Sequence, residues 1–385
     1  MAASAVEVAR SLIPLLSAEA GTTDQNRRIT EKSEGAMRDA GLLRLGTPTR
    51  WGGRGADLRT AVEVCLELAR GCAASSWIAG IAYGGNLFAG QLAEPVREEL
   101  WGTDPDAFVC GTANPAGTVT RTSTGLVLDG EWPWISGIHH AGWTLLGIAW
   151  DEDGRTERGM ALVPTAKLET IDVWHVAGMR GTGSNTAVAA DLAVTDDWVV
   201  SLSVMADGVY RRHHPEEARV TFYLSINLPL VGTCVGIAEA ALEKVVGAAA
   251  RGKKLSSPLY ATVAESPAHQ VNVANAAVLI DTARLHLAHA ADEVDAHARA
   301  GNRPDVDARA RLRMSASYST RCARDAVGLL LDTAGAGSFA DSSSLQRAWR
   351  DIETASRHAA FSMPNHAEMY GRVLLGAELP QSPAL

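Results

Sequence analysis

Gly130-Glu131-Trp132-Pro133-Trp134-Ile135-Ser136-Gly137-Ile138-His139-His140 is the stretch on which the reading of this chain turns. With Trp143 it gathers three of the chain's ten tryptophans and sets a hydroxyl, Ser136, beside a glycine among them. Flat apolar surface supplies contact area for a ring system, and one hydroxyl fixes its orientation, which is the composition of a pocket for a planar cofactor. The same residues also suit a β-hairpin whose indoles fill a core. The stretch by itself leaves both readings open.

On its N-terminal side, Val6, Ala9, Leu12, Ile13 and Leu16 recur at helical spacing and predict a helix from Ser4 to about Glu19, with a second from about Asp24 to Ala40 before Gly41. After the Trp51-Gly52-Gly53 loop the helical pattern resumes over 57–71, and Ser75 to Leu92 is apolar and rich in small residues, as a helix buried on all sides would be. Around Asp104-Pro105-Asp106 the texture changes to short alternating runs: Phe108 to Thr112, Gly117 to Thr122, Leu126 to Glu131, Thr144 to Trp150, Met160 to Val163 and Ala187 to Leu192. No helix-length segment lies between them to make parallel crossovers, so they predict a small antiparallel β-domain. Helix returns after His214-Pro215, over Leu228 to Ala250, Ser266-Pro267 to Gly301, Pro304 to Ala334, Leu345 to about Phe361 and Asn365 to Leu375. The fold class is therefore α+β in three units: a helical domain over 1–105, a β-barrel or sandwich over 106–215 and a four-helix bundle over 216–385.

A formal net charge of −9, with no long run of Lys or Arg, argues against a nucleic-acid or anionic membrane surface and for a small ligand. Cys65, Cys72, Cys110, Cys234 and Cys322 are scattered and hold no Cys-x-x-Cys pair, which points away from a disulfide framework or zinc ribbon and toward a reducing cytoplasm. The first twenty residues hold no unbroken apolar stretch, and no apolar run attains the length a bilayer demands, so the chain reads as soluble and intracellular.

A second notable stretch is Gly178-Met179-Arg180-Gly181-Thr182-Gly183-Ser184-Asn185, whose glycines let backbone approach a ligand while Arg180, Thr182 and Ser184 offer donors for phosphate oxygens. A plain turn between strands fits it as well. No Gly-x-Gly-x-x-Gly follows a strand and opens a helix, so a dinucleotide fold for NAD(P)H is not expected and reducing equivalents must come from elsewhere. Helical spacing puts His286, His289 and Glu293 on one face without a second helix supplying ligands, so no metal is expected. His139 and His140 read either as pocket residues or as a solvated strand end. His358 follows Arg347-Ala348-Trp349-Arg350-Asp351 and is flanked by Ala355, Ala359 and Ala360, small neighbours that leave its imidazole room against a ligand or in a core.

Trp134-Ile135-Ser136-Gly137, Gly178 to Asn185, and Leu345-Gln346-Arg347-Ala348-Trp349-Arg350-Asp351 followed by His358 occur in that order, and together they resemble the acyl-CoA dehydrogenase superfold. Within it, the chain resembles the oxygenase components of two-component flavin-dependent monooxygenases over nearly its full length. The resemblance implies reduced FAD or FMN delivered by a separate flavin reductase, O2, a flavin C4a-hydroperoxide, an aromatic substrate of phenolic, polyketide or indolic type, and a homotetramer. It implies that Trp134, Ser136, Arg180, Gly181, Thr182, Gly183 and Ser184 hold the flavin, with the Ser136 hydroxyl near N5. It implies that His358 lies across the reacting atoms as a base that takes the substrate's proton. Acyl-CoA dehydrogenases of the best-known subgroup place a catalytic Glu where this chain has His358-Ala359-Ala360, and without that carboxylate abstraction alpha to a thioester lacks its base. Trp77, Tyr83, His139 and Tyr223 are the expected substrate contacts, and no arginine is assignable to a substrate carboxylate, which favours a bulky uncharged ring. Amino-sugar N-oxygenation on the same scaffold and a non-catalytic flavin or acyl-carrier binding protein are the rival readings.

Overall fold

Ser4 opens the first helix with a reciprocal capping box, its side chain accepting from the Glu7 N–H while the Glu7 carboxylate accepts from the Ser4 N–H. That helix, α1 (Ala5–Asn26), runs on to Asn26 instead of ending near Glu19, and Arg27 closes it in the left-handed region at φ 54°. The extension matters because it carries Asp24 to the site described below. In the computed structural model, which describes residues 3–152, 154–202 and 222–379, α2 (Glu31–Asp39), α3 (Leu58–Gly71), α4 (Ala73–Ala89) and α5 (Glu94–Trp101) complete the first helical group. As its small-residue composition predicts, α4 is buried almost all round.

The strands follow as β1 (Val109–Thr112), β2 (Thr118–Thr122), β3 (Gly125–Ile135), β4 (Trp143–Glu152), β5 (Arg155–Pro164), β6 (Glu169–Ile171), β7 (Asn185–Val194) and β8 (Val199–Ser201). They form two four-stranded sheets, ordered β1-β4-β5-β8 and β2-β3-β7-β6. One pairing departs from the expected antiparallel set: β1 runs parallel to β4, Val109 opposite Trp143. The crossover that a parallel pair requires is here supplied by β2 and β3, which belong to the other sheet, so no helix is needed. The short strands β6 and β8 carry too few residues to give a period-2 signal and were not expected.

The C-terminal helices are α6 (Phe222–Ala250), α7 (Pro267–Arg299), α8 (Val306–Ala334), α9 (Ser344–Ala355) and α10 (Met363–Leu374). The apolar α6 is long enough to cross a bilayer, but it is mostly buried between α3, α4, α7 and α8, with Gly80 and Gly84 of α4 admitting Leu230 and Ile226. It is a core helix. The expected helix from Leu345 to Phe361 stops at Ala355, and a separate 3-10 turn covers Ala359–Phe361. His358 therefore stands at the mouth of a turn, not within a helix. The expected break at His214-Pro215, and with it the 215/216 boundary, lies outside the described residues.

Candidate active site

The tryptophans that looked alike in the sequence separate in the structure. Trp132 is fully buried and its Nε1–H donates to the Gly147 carbonyl at 2.7 Å, as a core indole should. The ladder between β3 and β7 then shifts register between Trp132 and Ile135, Trp134 takes φ 64°, and its side chain stands 60 % exposed. A bulge of this kind re-aims side chains at a strand end. The Ser136 N–H closes a tight turn onto the Trp134 carbonyl at 3.0 Å, and the Gly137 N–H donates to the Thr182 carbonyl at 2.9 Å. Gly137 sits at φ +83° where a Cβ would lie 2.7 Å from the Phe108 ring and 2.9 Å from Ile78, so no other residue fits the turn.

Ser136 is thereby placed inside a row of buried hydroxyls. Its Oγ lies 2.7 Å from Ser184 Oγ, which lies 2.7 Å from Thr182 Oγ1, and Thr182 Oγ1–H donates to the Met179 carbonyl at 2.9 Å. From the other side the Trp77 Nε1–H of α4 donates to Ser136 Oγ at 3.3 Å. Trp77 in turn packs edge-on against the His358 ring (centroids 5.6 Å, 69°) and the Phe361 ring (6.4 Å, 82°). Two walls thus meet at one hydrogen bond, a hydroxyl row from the β-domain and an aromatic trio from the helices.

His358 keeps an accessible surface although protein packs densely around its ring, the signature of a side chain on the wall of a recess. That packing pushes its pKa down to about 4, because burial disfavours the imidazolium. The ring is neutral near pH 7, and its Nδ1 accepts the Ala360 N–H at 3.2 Å, which assigns the proton to Nε2. In this tautomer the group offered to a ligand is an N–H donor. The base expected from the sequence would need a free lone pair, and the only one is taken by the turn that His358 caps.

The loop behind the hydroxyl row is held by the Arg350-Asp351 pair, to which sequence reading gave no role. Gly178 passes so close to α9 that a Cβ there would lie 1.8 Å from the Arg350 carbonyl oxygen. The adjacent Met179, in the left-handed region at φ 53°, donates its N–H to Asp351 Oδ1 at 2.6 Å. Its carbonyl accepts from Trp174 Nε1, from the Thr182 N–H and from the Thr182 hydroxyl. Non-glycine residues hold that conformation only when their surroundings fix it. Arg350 forks onto Asp24 of α1 at 3.0 and 3.3 Å and also binds the Ala177 carbonyl. Burial pushes the Asp351 carboxyl up to about 6 despite the Met179 hydrogen bond. A usable signal did exist: Asp351 falls among Leu345, Ala348, Ile352 and Ala355 on the apolar face of its helix.

Several expected contacts fall elsewhere. The Arg180 guanidinium donates from Nε to the Asp24 carbonyl at 3.0 Å and from Nη1 to the Val176 carbonyl at 3.3 Å, so it straps the loop to α1. Gly181 packs against Thr23 and Ala74, and Gly183 lies under the His139 ring. His139 is exposed and accepts from the Asn185 amide at 2.8 Å, apart from the aromatic trio. Tyr83 is buried in the helical core, where its hydroxyl reaches the Ala56 carbonyl at 3.4 Å and burial raises its pKa. The side chain of Tyr223 lies outside the described residues. On α7, Glu293 is taken by Arg311 and His289.

A planar flavin fits what remains. An exposed indole at Trp134, a Ser136 hydroxyl with room for one more hydrogen bond, and an accessible neutral imidazole are the apolar plate and sparse polar points such a ring system requires.

Comparison with known proteins shows the family and the fold. Residues 4–98 match the acyl-CoA dehydrogenase N-terminal domain and residues 229–363 match an acyl-CoA dehydrogenase C-terminal domain. The chain is 31% identical to the flavin-dependent monooxygenase oxygenase subunit HsaA of Rhodococcus jostii, over 94% of this chain and 95% of that one. It is 30% identical to the oxygenase component of the FADH2-dependent resorcinol hydroxylase of a Rhizobium species, covering 94% and 92%. The solved structure of XiaF from Streptomyces in complex with FADH2 and glycerol superimposes with a TM-score of 0.91 at 29% identity, over 98% of this chain and 96% of that one.

Proposed function

This chain belongs to the oxygenase components of flavin-dependent monooxygenases built on the acyl-CoA dehydrogenase fold, and from that premise we propose how its residues divide the work. It acts with reduced flavin, supplied by a separate reductase, on an aromatic substrate. Bound flavin supplies the activated oxygen. The side chains supply orientation, exclusion of water and control of protons.

The observation that carries the division is the single Trp77 to Ser136 hydrogen bond joining the two walls. Trp134 and Ser136 lie on the side that holds the flavin, with Gly181, Thr182, Gly183 and Ser184 shaping the loop beneath it. Trp77, Phe361 and His358 lie on the side that receives the substrate ring. His358 presents its Nε2–H to the phenolic or indolic heteroatom of that ring. A phenol has a pKa of about 10, far above that of an imidazole whose charged form burial disfavours, so proton transfer from the phenol to His358 runs uphill. As a donor, the same imidazole stabilises the phenolate oxygen and raises the electron density of the ring carbons. An uncharged polycyclic or indolic ring suits the apolar trio best.

The test is single-turnover mixing of protein and anaerobically reduced FAD or FMN with aerated buffer and a panel of phenols, indoles and amino sugars. Hydroxylated arene carrying label from 18O2 is expected. Flavin oxidation yielding hydrogen peroxide alone with every arene, or product from amino sugars only, would sink the reading.

Self-association into a homotetramer belongs to the same proposal. Val271, Val278 and Leu285 recur every seventh residue along α7 and stand 57, 64 and 72 % exposed, an apolar stripe suited to a second copy of the chain. Val278→Asp should lower the mass seen by analytical ultracentrifugation, and an unchanged mass would exclude that face. The five described cysteines are all free and buried, which supports a cytoplasmic location.

A further inference from the structure

We propose that Ser184 and Thr182 are positioning residues that fix the direction of the Ser136 proton, and that through it they help set the ratio in which this site binds reduced and oxidised flavin. The proposal rests on the placement of the flavin beside Ser136 given above. The direction follows from the two ends of the hydroxyl row, where no choice of donor exists. The Met179 carbonyl can only accept, so Thr182 gives it its single proton at 2.9 Å. Ser184, 2.7 Å from Thr182, must then donate to it, and Ser136, 2.7 Å from Ser184, must donate in turn. At the far end the Trp77 indole can only donate, and Ser136 accepts from it at 3.3 Å. A reversed row would set the Thr182 and Met179 oxygens lone pair to lone pair at 2.9 Å, with both groups buried.

A hydroxyl has one proton and two lone pairs. In Ser136 the proton is committed to Ser184 and one lone pair to Trp77, so what it offers a ligand is the remaining lone pair. Reduced flavin carries an N–H at N5 and can donate to it. Oxidised flavin presents a lone pair at N5 and cannot, unless Ser136 abandons Ser184. Ser184 and Thr182 touch neither ring nor substrate in this scheme; they are positioning residues that act through Ser136.

The readout is the ratio of affinities for oxidised and reduced flavin, measured by anaerobic titration, or equivalently the shift in midpoint potential of the bound flavin. Wild type should favour the reduced form. Ser184→Ala frees the Ser136 proton and should tighten oxidised flavin, narrowing the ratio by about two- to tenfold, the range of one neutral hydrogen bond. A tenfold change corresponds to about 30 mV for a two-electron couple. Ser184→Thr keeps the donor and should keep the wild-type ratio, whereas Thr182→Val breaks the row at its fixed end and should mimic Ser184→Ala. It also serves if Ser184→Ala fails to fold. A folded Ser184→Ala or Thr182→Val with the wild-type ratio, while Ser136→Ala changes it, overturns the relay and leaves the placement intact. A wild-type ratio in Ser136→Ala overturns the placement, and the proposal with it.

Discussion

The two walls of the site reach the same end, a polar group of fixed character facing a ring, by opposite means. On the β-domain side Ser136 is one member of a row of hydroxyls whose proton direction is set by the Met179 carbonyl at its far end, and every donor in that row is paired. On the helical side the His358 ring stands among apolar rings, its one polar partner among the described residues being the Ala360 N–H of the turn that follows it. The first wall fixes the polarity of its hydroxyl by connectivity, the second fixes the charge of its imidazole by desolvation. Connectivity should fail locally and by small steps when one member is lost. Desolvation concentrates its effect in one side chain, so the largest change is expected there.

His358→Ala removes a donor to a substrate oxygen that bears charge, an interaction worth about 1.5–3 kcal/mol, and should lower product formed per flavin oxidised by roughly 10- to 150-fold. The balance should appear as hydrogen peroxide, with flavin affinity little changed because Trp134 and Ser136 are untouched. His358→Gln separates the roles further, since an amide N–H can replace a donor but cannot replace a base. Recovery of a substantial part of the lost coupling in His358→Gln supports the donor, and a loss equal to that of alanine in both variants argues for proton abstraction.

Gly178→Ala attacks the support of the other wall. Its Cβ would meet the backbone of Arg350, which cannot turn aside as a side chain would, so α9 and the loop must separate. Overpacking of this kind costs about 1–3 kcal/mol. The expected result is a lower midpoint in urea together with a loss of flavin binding, because Met179, the anchor of the hydroxyl row, leaves Asp351. A variant with wild-type stability and affinity would show that the row does not depend on this contact.

These two contacts also mark where the sequence stopped being legible. The order of helices, strands and helices follows from local periodicity, and α4 could be recognised from its small residues because burial on every side leaves no polar face. Trp132 and Trp134 were indistinguishable, since a register shift in β3 depends on the partner strand and sends one indole inward and the other out. Ser136 and His358 do stand beside apolar rings, but whether each gives or takes a proton depends on Ser184 and on the Ala360 N–H, contacts that only the fold creates. Arg180 read as a phosphate ligand because a glycine-rich loop with a cation looks the same whether it faces a ligand or a neighbouring helix. Tyr83 and Trp77 share a helix, and their six-residue separation turns their side chains about 120° apart, one toward the helical core and the other toward Ser136.

A smaller effect is expected from Ser136→Ala. One neutral hydrogen bond is worth about 0.5–1.5 kcal/mol, so the ratio of peroxide to product should rise by at most about tenfold. Ser184 and Trp77 would each lose a partner as well; Ser184 can turn within the row, whereas the indole N–H, on a ring only 5 % exposed, is left without its acceptor and should lower fold stability by about 1–3 kcal/mol. Peroxide yield equal to wild type would remove Ser136 from the flavin side of the site.

The smallest expected effect is the most exacting test of how the helical wall works. A histidine with its ordinary pKa near 6.5 would be almost fully protonated at pH 5, and a base lost in that way would cost roughly thirtyfold in coupling between pH 8 and pH 5. Burial lowers the pKa of His358 to about 4, so the imidazolium accumulates only below the usual range and amounts to on the order of a tenth of the protein at pH 5. The sign is that of a group held neutral: the Nδ1 lone pair that accepts the Ala360 N–H is present on the alkaline side of pKa about 4 and is lost only as pH falls through it, which frees the ring from its turn. Other groups titrate in the same interval, among them Asp351 at about 6 and the substrate itself, so the absolute profile mixes several causes. Dividing the coupling of wild type by that of His358→Gln at each pH cancels whatever the two proteins share, because glutamine does not titrate. That quotient should stay constant within about 10 % from pH 8 to pH 5. A fall centred near pH 6.5 would mean that the ring is solvated and basic when substrate is bound, and that the aromatic trio does not desolvate it.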